Sequence, residues 1–339
     1  MPSDPPAAPQ AGEQAALVRG VLARDRRALA KAITLLESTL PEHRREAEAL
    51  LAALLPRSGE SLRVGISGAP GVGKSTFIEA LGIYLLEQGR RVAVLAVDPS
   101  SSLSGGSILG DKTRMERLST AENAFIRPSP TAGSLGGVAA KTREAISVCE
   151  AAGYDVILVE TVGVGQSETA VAEMVDVFAL LQMPHAGDDL QAIKKGIVEL
   201  AQLVVINKCD LDPAAAASAR RQWENALGML HPSSPGWRTP VLEVSAAQAT
   251  GIDALWRQVE SYRHAMTQSG EWADKRRRQA VDWMWSLIES GLHQRFSEHP
   301  EVRAQLARLT EDVAHGRASP SAAAAALLAL AQENVQGRP

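Results

Sequence analysis

This chain contains the stretch Gly68-Ala69-Pro70-Gly71-Val72-Gly73-Lys74-Ser75, which completes the phosphate-binding pattern G-x-x-x-x-G-K-[ST]. An apolar run over residues 62–66 precedes it and an amphipathic segment over residues 76–86 follows it. This order predicts a strand, a glycine loop and a helix. A chance glycine-rich turn is the alternative, but the joint presence of strand, lysine, serine and helix argues against it. We therefore predict a nucleotide site that extends from Gly68 to Thr76.

Each part of this motif has a chemical role in binding phosphate. Backbone N–H groups of the loop and of the helix N-terminus point at phosphate oxygens. Lys74 places a positive charge at the β- and γ-phosphates, and the hydroxyl of Ser75 is placed to ligate Mg²⁺. The motif therefore predicts a bound nucleotide with Mg²⁺ as its cofactor.

A second motif identifies the base. Asn207-Lys208-Cys209-Asp210 follows directly on the apolar run 203–206, where the base lies in a parallel sheet of this kind. The Asp210 carboxylate can accept two N–H donors from guanine, and the Lys208 stem can pack along the base plane. Alone, this tetrapeptide is common on protein surfaces, but its position after a buried strand, with Ser245-Ala246 after the next strand, favours guanine recognition. The expected ligands are GTP and GDP.

The end of a third apolar run predicts part of the hydrolytic site. Glu160-Thr161-Val162-Gly163 follows residues 155–159, where related hydrolases place an acid near Mg²⁺ and a glycine near the γ-phosphate. Glu160 is one methylene longer than the usual Asp, so direct and water-mediated ligation both stay open. Val164 stands where small GTPases keep a glutamine that orients water, and valine cannot orient water. We therefore expect slow intrinsic hydrolysis. A group from elsewhere must then complete the catalytic site.

Two polar stretches are candidates for that group. The first begins at Asp98 after the apolar run 91–97 and continues through residues 105–114, which include Asp111. The second, residues 184–196, contains Lys194, which could stabilise developing phosphate charge. Such stretches suit mobile loops that close on Mg²⁺ and phosphate. An ordinary solvated surface loop is the alternative for each.

Composition restricts the class of protein. The 339 residues are 45% hydrophobic with a net charge of −4, so we expect no nucleic-acid partner. Residues 1–14 contain no apolar signal region, and the longest apolar stretch, residues 322–331, is too short to span a bilayer. We expect a cytoplasmic protein without membrane contact. The two cysteines, Cys149 and Cys209, support neither a disulfide framework nor a thiolate metal site.

The pattern along the chain predicts four segments. Residues 1–12 are expected to be a disordered lead, and residues 13–57 to form two N-terminal helices, over 13–36 and 42–55. Residues 58–265 alternate β-rich runs with helical stretches, which predicts an α/β nucleotide domain, a P-loop NTPase with a mostly parallel central sheet flanked by helices. Residues 270–336 are wholly helical and should bury an apolar face against another subunit or the N-terminal helices. The expected strands lie in residues 62–66, 91–97, 124–126, 155–160, 175–182, 203–206 and 241–244.

The motifs together resemble the MeaB/ArgK branch of SIMIBI-class GTPases, which are chaperones of adenosylcobalamin-dependent acyl-CoA mutases. The resemblance extends over about residues 17–315. It depends on residues 97–101, 105–115, 127–130, 136–143, 160–170 and 189–196. It implies Mg²⁺–GTP at the residues given above, three switch loops, and a homodimer held partly by a C-terminal helical arm. It also implies that Asp98, Asp111 and Glu160 surround Mg²⁺ and the attacking water, and that Lys194 lies in the third switch.

The resemblance implies partners as well. Proteins of this branch bind a mutase, gate cobalamin transfer from an adenosyltransferase and promote exchange of a damaged cofactor; the human member serves methylmalonyl-CoA mutase. Mutases for methylmalonyl-CoA, isobutyryl-CoA and 2-hydroxyisobutyryl-CoA all have such chaperones. Members of the branch usually have Gly where this chain has His185, so its third switch is expected to be stiffer or tuned to its partner.

We expect no cobalamin on this chain itself. It lacks a D-x-H-x-x-G motif, and its seven histidines form no ligand spacing. Two alternatives to a chaperone GTPase stay open. One is a kinase acting on a binding protein of amino-acid transport, although the sequence shows no pocket for the group that would accept the phosphate. The other is a structural dimer that binds nucleotide without turnover.

Overall fold

The computed structural model describes residues 9–38, 40–97, 115–128, 135–161, 167–185, 195–230, 234 and 236–332. The chain divides into two units, Met1–Lys275 and Arg276–Pro339. The first unit contains the sheet and the nucleotide motif, and the second is helical. In the part of the chain described, no helix combines the length and apolar character needed to cross a membrane.

The first unit is organised around a parallel sheet of seven strands within the described residues. The strands are β1 (Leu62–Gly68), β2 (Val92–Val97), β3 (Ala124–Arg127), β4 (Val156–Thr161), β5 (Val177–Gln182), β6 (Leu203–Ile206) and β7 (Val241–Glu243). Their order is β3-β2-β4-β1-β5-β6-β7, and every neighbouring pair is parallel. The predicted fold class is confirmed, with a strand at each of the seven apolar runs.

The strands are mostly apolar because helices cover both faces of the sheet. In β4, Val156 and Leu158 belong to the core on one side, and Ile157 and Val159 to the core on the other. All six residues of β5 are buried. Successive side chains of a strand point to opposite faces, so a continuous Val/Ile/Leu run fills two cores at once.

The helices follow in chain order between and after the strands. They are α1 (Pro9–Leu22), α2 (Arg26–Glu37), α3 (Pro41–Leu54), α4 (Lys74–Glu87), α5 (Glu116–Thr120), α6 (Leu135–Ala151), α7 (Ser167–Ala172), α8 (Lys195–Leu200), α9 (Pro213–Gly228), α10 (Ile252–Ser269), α11 (Glu271–Glu298), α12 (Pro300–Ala314) and α13 (Pro320–Gln332). A short 3₁₀ helix, Leu55–Arg57, follows α3. Helices α4 and α10 contribute to one core, whereas α2, α6 and α9 contribute to the other.

The N-terminal region differs from the sequence prediction. Residues 13–36 were expected to form one helix, but the structure places α1 and α2 there, and α1 already begins at Pro9 within the expected lead. The break occurs because Arg24 adopts a left-handed φ of 63° and the Asp25 side chain accepts a hydrogen bond from the Ala28 N–H at 2.7 Å. An Asp at this position starts a new helix, since its carboxylate satisfies a free N–H of the first turn.

The second unit contains the remainder of α11 together with α12 and α13. Helices α12 and α13 pack against each other, and Val302, Ala323 and Leu327 are buried. Helix α11 instead exposes a set of large apolar side chains on its surface. They are Val281, Met284, Trp285, Leu287, Ile288 and Leu292.

A buried ion pair fixes α6 to the start of β1. Both carboxylate oxygens of Glu150 accept hydrogen bonds from Arg63, at 2.8 Å from Nε and 3.0 Å from the terminal nitrogen. Oε2 also accepts from the Gly59 N–H at 2.8 Å. The Glu150 side chain is only 1% exposed. Removing one partner of such a pair leaves the other charge buried without compensation, which lowers the free energy of unfolding.

We predict that Glu150→Gln lowers the free energy of unfolding by about 3 kcal/mol, because the guanidinium of Arg63 loses its counter-charge in a buried setting. Chemical denaturation followed by circular dichroism measures this. The matched control is Glu224→Gln on α9, whose pair with Arg220 is half exposed and should contribute less than about 0.5 kcal/mol. Equal effects of the two substitutions would contradict the prediction.

Candidate functional site

The predicted site residues that the structure describes lie at the carboxyl edge of the sheet. Because all strand pairs are parallel, the segments that follow β1, β4, β6 and β7 leave the sheet on the same side. These segments contain the glycine loop, Glu160 at the end of β4, the Asn207 motif, and Ser245-Ala246. The structure therefore brings the phosphate-binding and base-reading motifs to one edge, as the sequence predicts.

Two glycines of the loop occupy positions that no other residue can fill. Gly73 precedes α4 with a φ of 93°, and a Cβ there would lie 2.9 Å from Nδ2 of Asn207. Gly68 ends β1, and a Cβ there would lie 2.5 Å from the carbonyl oxygen of Leu181. Both contacts are shorter than real Cβ atoms allow, so the loop needs glycine for its close approach to neighbouring strands.

Lys74 lies inside the loop rather than extending into solvent. Its Nζ donates to the carbonyl oxygens of Gly68 at 2.8 Å and Ala69 at 3.2 Å, and the residue is 9% exposed. Burial lowers the pKa of Lys74, whereas the carboxylates of Glu160 and Glu168 raise it. The ammonium is thus held at the loop by backbone oxygens, where the β- and γ-phosphates of a nucleotide would bind.

Ser75 and Glu160 form a hydrogen-bonded pair beside the loop. The Ser75 Oγ donates to Oε1 of Glu160 at 3.2 Å. The register of β1 with β4 places Glu160 opposite Ile66, and the Thr161 hydroxyl donates to that of Ser67 at 3.0 Å. Hydroxyl and carboxylate oxygens are the donors that Mg²⁺ prefers. The two residues therefore fit the Mg²⁺ role that the sequence assigned to them, and that role remains a prediction.

Asn207 connects the base-reading motif to the phosphate loop. Its Nδ2 donates to the Val72 carbonyl at 2.8 Å, and its Oδ1 accepts from the Ala246 N–H at 3.1 Å. The Asn207 side chain is buried, with both polar atoms paired. Ser245, also buried, accepts the Gln248 N–H at 3.2 Å and so shapes the turn after β7. A buried side chain with every polar atom satisfied holds its loops in one arrangement.

Lys208 and Asp210 have different surroundings. Lys208 has a left-handed φ of 62°, and its Nζ donates to the Gly71 carbonyl at 2.7 Å. This contact ties its stem to the phosphate loop. Asp210 is partly exposed, and its carboxylate has no protein hydrogen-bond or ion-pair partner in the parts of the chain that are described. Its oxygens can therefore accept the two N–H donors of guanine.

Several predicted site residues lie outside the described residues. These are Asp98, Asp111, Gly163, Val164 and Lys194. Their assigned roles at Mg²⁺, water and phosphate stay predictions.

His185 is described: it is 74% exposed, and its Nε2 lies 3.4 Å from Oδ2 of Asp212, whose Oδ1 caps the N-terminus of α9. His185 is thus close to the segment that contains the Asn207 motif.

Two contributions at this edge were not predicted from the sequence. The bridging role of Asn207 was missed because its partners, Val72 and Ala246, are remote in the chain. Glu168 was missed as an individual site residue, although it is 4% exposed and contributes to the charge balance at Lys74. The available signal was its position one turn before the apolar Val171, since a glutamate is unusual on an apolar helix face.

Comparison with known proteins identifies the family. The family model described as "Methylmalonyl Co-A mutase-associated GTPase MeaB" matches residues 29–301. The chain belongs to the MeaB family. The resemblance found in the sequence is confirmed, and so is the expected activity, since MeaB proteins are GTPases.

Relatives and a solved structure agree with MeaB membership. The "Methylmalonic aciduria type A homolog, mitochondrial" of Mus musculus is 50% identical over 325 residues, covering 92% of this chain and 78% of the relative. "GTPase ArgK" of Escherichia coli is 51% identical over 273 residues, covering 80% of this chain and 82% of the relative. A crystal structure named "LAO/AO transport system kinase" superimposes with a TM-score of 0.76 at 38% identity, covering 95% and 98% of the two chains.

We predict that Asp210→Asn weakens GTP binding about 100-fold and reduces the preference for GTP over ATP, because an amide offers guanine one acceptor instead of two. Titration calorimetry with both nucleotides measures this. The control is Asp253→Asn on α10, whose half-exposed carboxylate pairs with Arg257 and should leave both affinities unchanged. An unaltered GTP/ATP ratio in the Asp210 variant would contradict the assignment.

Proposed function

We propose that this MeaB-family GTPase is a nucleotide-dependent switch that acts as chaperone for an adenosylcobalamin-dependent acyl-CoA mutase. In this proposal it gates loading of the cofactor from an adenosyltransferase and exchange of damaged cobalamin. The supporting observation is the combination of a guanine-nucleotide site with membership in a family whose description names association with methylmalonyl-CoA mutase. The mouse relative's name, which refers to methylmalonic aciduria, supports the same class of partner.

The geometry of the site supports a hydrolytic cycle. In this proposal Lys74, which the loop carbonyls hold beside Gly68, neutralises phosphate charge, and the partly exposed Asp210 selects guanine. Ser75 and Glu160 would hold Mg²⁺, which supplies charge neutralisation at the β- and γ-phosphates when bound. Asp98, Asp111 and Lys194 are proposed to complete the site around water and the γ-phosphate. Loops that are ordered by the γ-phosphate and released by hydrolysis would present different surfaces to a partner.

The partner is proposed to be a mutase for methylmalonyl-CoA, isobutyryl-CoA or 2-hydroxyisobutyryl-CoA. Cobalamin would bind to the mutase and not to this chain. The missing water-orienting glutamine, with Val164 in its place, favours a rate that depends on the partner. In that case the complex, rather than the isolated chain, contains the complete catalytic site.

One observation favours a second function. A solved structure similar to this chain is named "LAO/AO transport system kinase". A kinase would transfer the γ-phosphate to a protein acceptor, whereas a GTPase transfers it to water. The fate of the γ-phosphate therefore separates the two functions.

We predict that the partner mutase raises phosphate release from γ-labelled GTP by about tenfold or more, since a single added charge or donor can change kcat by about 10²-fold. The assay measures free phosphate with each of the three mutases and with the apo and cofactor-loaded forms. Lys74→Ala should abolish GTP binding, whereas Asp111→Ala and Lys194→Ala should bind GTP normally but lose the stimulation. Label on a transport binding protein would favour the kinase, and no response to any mutase would refute the chaperone proposal.

We also propose that the protein is a homodimer held partly by its C-terminal helices. On α11, Val281, Met284, Trp285, Ile288 and Leu292 recur at intervals of three and four residues, so they lie in one stripe. Each is 38% to 56% exposed in the single chain. A stripe of large apolar side chains over three turns favours an isologous contact with a second copy.

We predict that Ile288→Glu shifts the protein from dimer to monomer in light scattering after gel filtration, because it places a charge in the centre of the apolar stripe. The control is Ser290→Glu, two residues away on the opposite side of α11, which should leave the mass unchanged. A wild-type protein that is monomeric at all concentrations would exclude the dimer.

A further inference from the structure

Two buried hydroxyl groups meet where the strand of the phosphate loop ends beside its neighbour β4. The Thr161 hydroxyl donates to the Ser67 hydroxyl at 3.0 Å, and the two residues are 0% and 1% exposed. Ser67 directly precedes Gly68, the first residue of the phosphate loop, and Thr161 directly follows Glu160. The hydroxyl pair thus connects the segment assigned to phosphate with the segment assigned to Mg²⁺.

The alternation of side chains along β4 places the hydroxyl pair and Glu160 on opposite faces of the sheet. Leu158, two residues before Glu160, belongs to the core to which α4 contributes, and on that face Glu160 contacts Ser75. Val159, two residues before Thr161, belongs to the other core. The hydroxyl pair therefore fixes the end of β4 from one face of the sheet, and the Glu160 carboxylate extends from the other.

The surroundings of the hydroxyl pair are apolar. Gly65 lies on the same face of β1 as Ser67, and the side chains nearest to it are those of Val171, Val175 and Phe178. Burying a hydroxyl in such a place costs free energy unless it is hydrogen-bonded, and two apolar side chains of similar shape can serve the packing equally well. The presence of two hydroxyl groups here therefore indicates a role other than packing.

Backbone pairing between β1 and β4 ends just before the hydroxyl pair. The last registered pair of these strands is Ile66 with Glu160, whereas the register of β1 with β5 continues for two more residues. The bond between Thr161 and Ser67 is thus a side-chain link one residue beyond the last registered pair. Because strand ends with few ladder hydrogen bonds open most readily, this link restricts the end of β4 relative to the phosphate loop.

We propose that Ser67 and Thr161 are positioning residues for the GTPase reaction: their hydrogen bond holds Glu160 at the distance from Ser75 that Mg²⁺ requires. This role depends on Ser75 and Glu160 holding Mg²⁺, as proposed above. Their oxygens are 3.2 Å apart. Adjacent ligands of an octahedral Mg²⁺ at about 2.1 Å lie about 3.0 Å from each other, and Mg²⁺ tolerates little deviation from this geometry. A small displacement of the end of β4 therefore weakens the metal site.

The test measures how much Mg²⁺ increases the affinity for a non-hydrolysable GTP analogue, by titration calorimetry with Mg²⁺ and with a chelator. Thr161→Val replaces the hydroxyl by a methyl group of similar size, and we expect the gain in affinity from Mg²⁺ to fall about tenfold. Affinity in the chelator should stay unchanged, because every group that contacts phosphate is still present. Thr161→Ser keeps the hydroxyl and should keep the wild-type gain.

A double-substitution cycle shows whether the two hydroxyl groups act as a pair. Ser67→Ala and Thr161→Val should each reduce the gain from Mg²⁺, and the double variant should reduce it no further, because the bond is already lost. The double variant also removes both buried polar groups, so its free energy of unfolding should stay close to that of the wild-type chain. A reduced response to Mg²⁺ at normal stability is a result that a purely structural role would not give.

The matched control is Ser61→Ala, at the opposite end of the same two strands. Ser61 directly precedes β1, and its buried hydroxyl donates to the Tyr154 carbonyl just before β4. This substitution removes a buried hydrogen bond between the same segments, but at the amino edge of the sheet, away from the phosphate loop. It should leave the gain in affinity from Mg²⁺ unchanged.

Each outcome supports or overturns the positioning role. An unchanged gain from Mg²⁺ in a folded Thr161→Val protein would overturn it, as would an equal loss of this gain in Thr161→Ser or in Ser61→Ala. If Thr161→Val fails to fold, Ser67→Ala carries the same test from the side of β1, and an unchanged gain in that variant would overturn the role. A wild-type chain whose affinity for the analogue gains nothing from Mg²⁺ would instead refute the proposed metal site.

Discussion

The hydrogen bonds of the Asn207 side chain are the constraint on which the nucleotide site depends. One amide joins the Val72 carbonyl of the phosphate loop to the Ala246 N–H after the last strand. Three segments from β1, β6 and β7 are held together by a group that is buried and fully paired. Gly73 leaves space for this amide, so the loop before α4 and the segments after β6 and β7 fit together only when both residues are present.

The strands and the site motifs could be predicted because they depend on local sequence. A parallel sheet covered on both faces requires continuous apolar strands, and each of the seven apolar runs became a strand. Parallel strands place their following segments at one edge, which explains why the residues near Lys74, Glu160 and Asp210 converge. Fold and candidate site therefore follow from strand order and from residues placed directly after strands.

Contacts between remote residues could not be read from the sequence in this way. The predicted single helix over residues 13–36 is broken because Asp25 caps α2. Helical spacing of leucine and alanine continues on both sides of the break, so the periodicity did not indicate it. The retraction of Lys74 onto loop carbonyls and the burial of Glu168 depend on how α4 and α7 pack on the sheet. Gly65 lies inside a predicted strand, and the sequence did not show that its missing side chain permits that packing.

The position of Lys74 has a consequence for the stability of the phosphate loop. Its ammonium donates to two carbonyl oxygens of its own loop, and the carboxylates of Glu160 and Glu168 favour its charged form against the effect of burial. A buried cation with such partners costs far less than an unpaired one. We therefore expect the loop to need no phosphate for its fold, so that a nucleotide binds to a loop that is already formed.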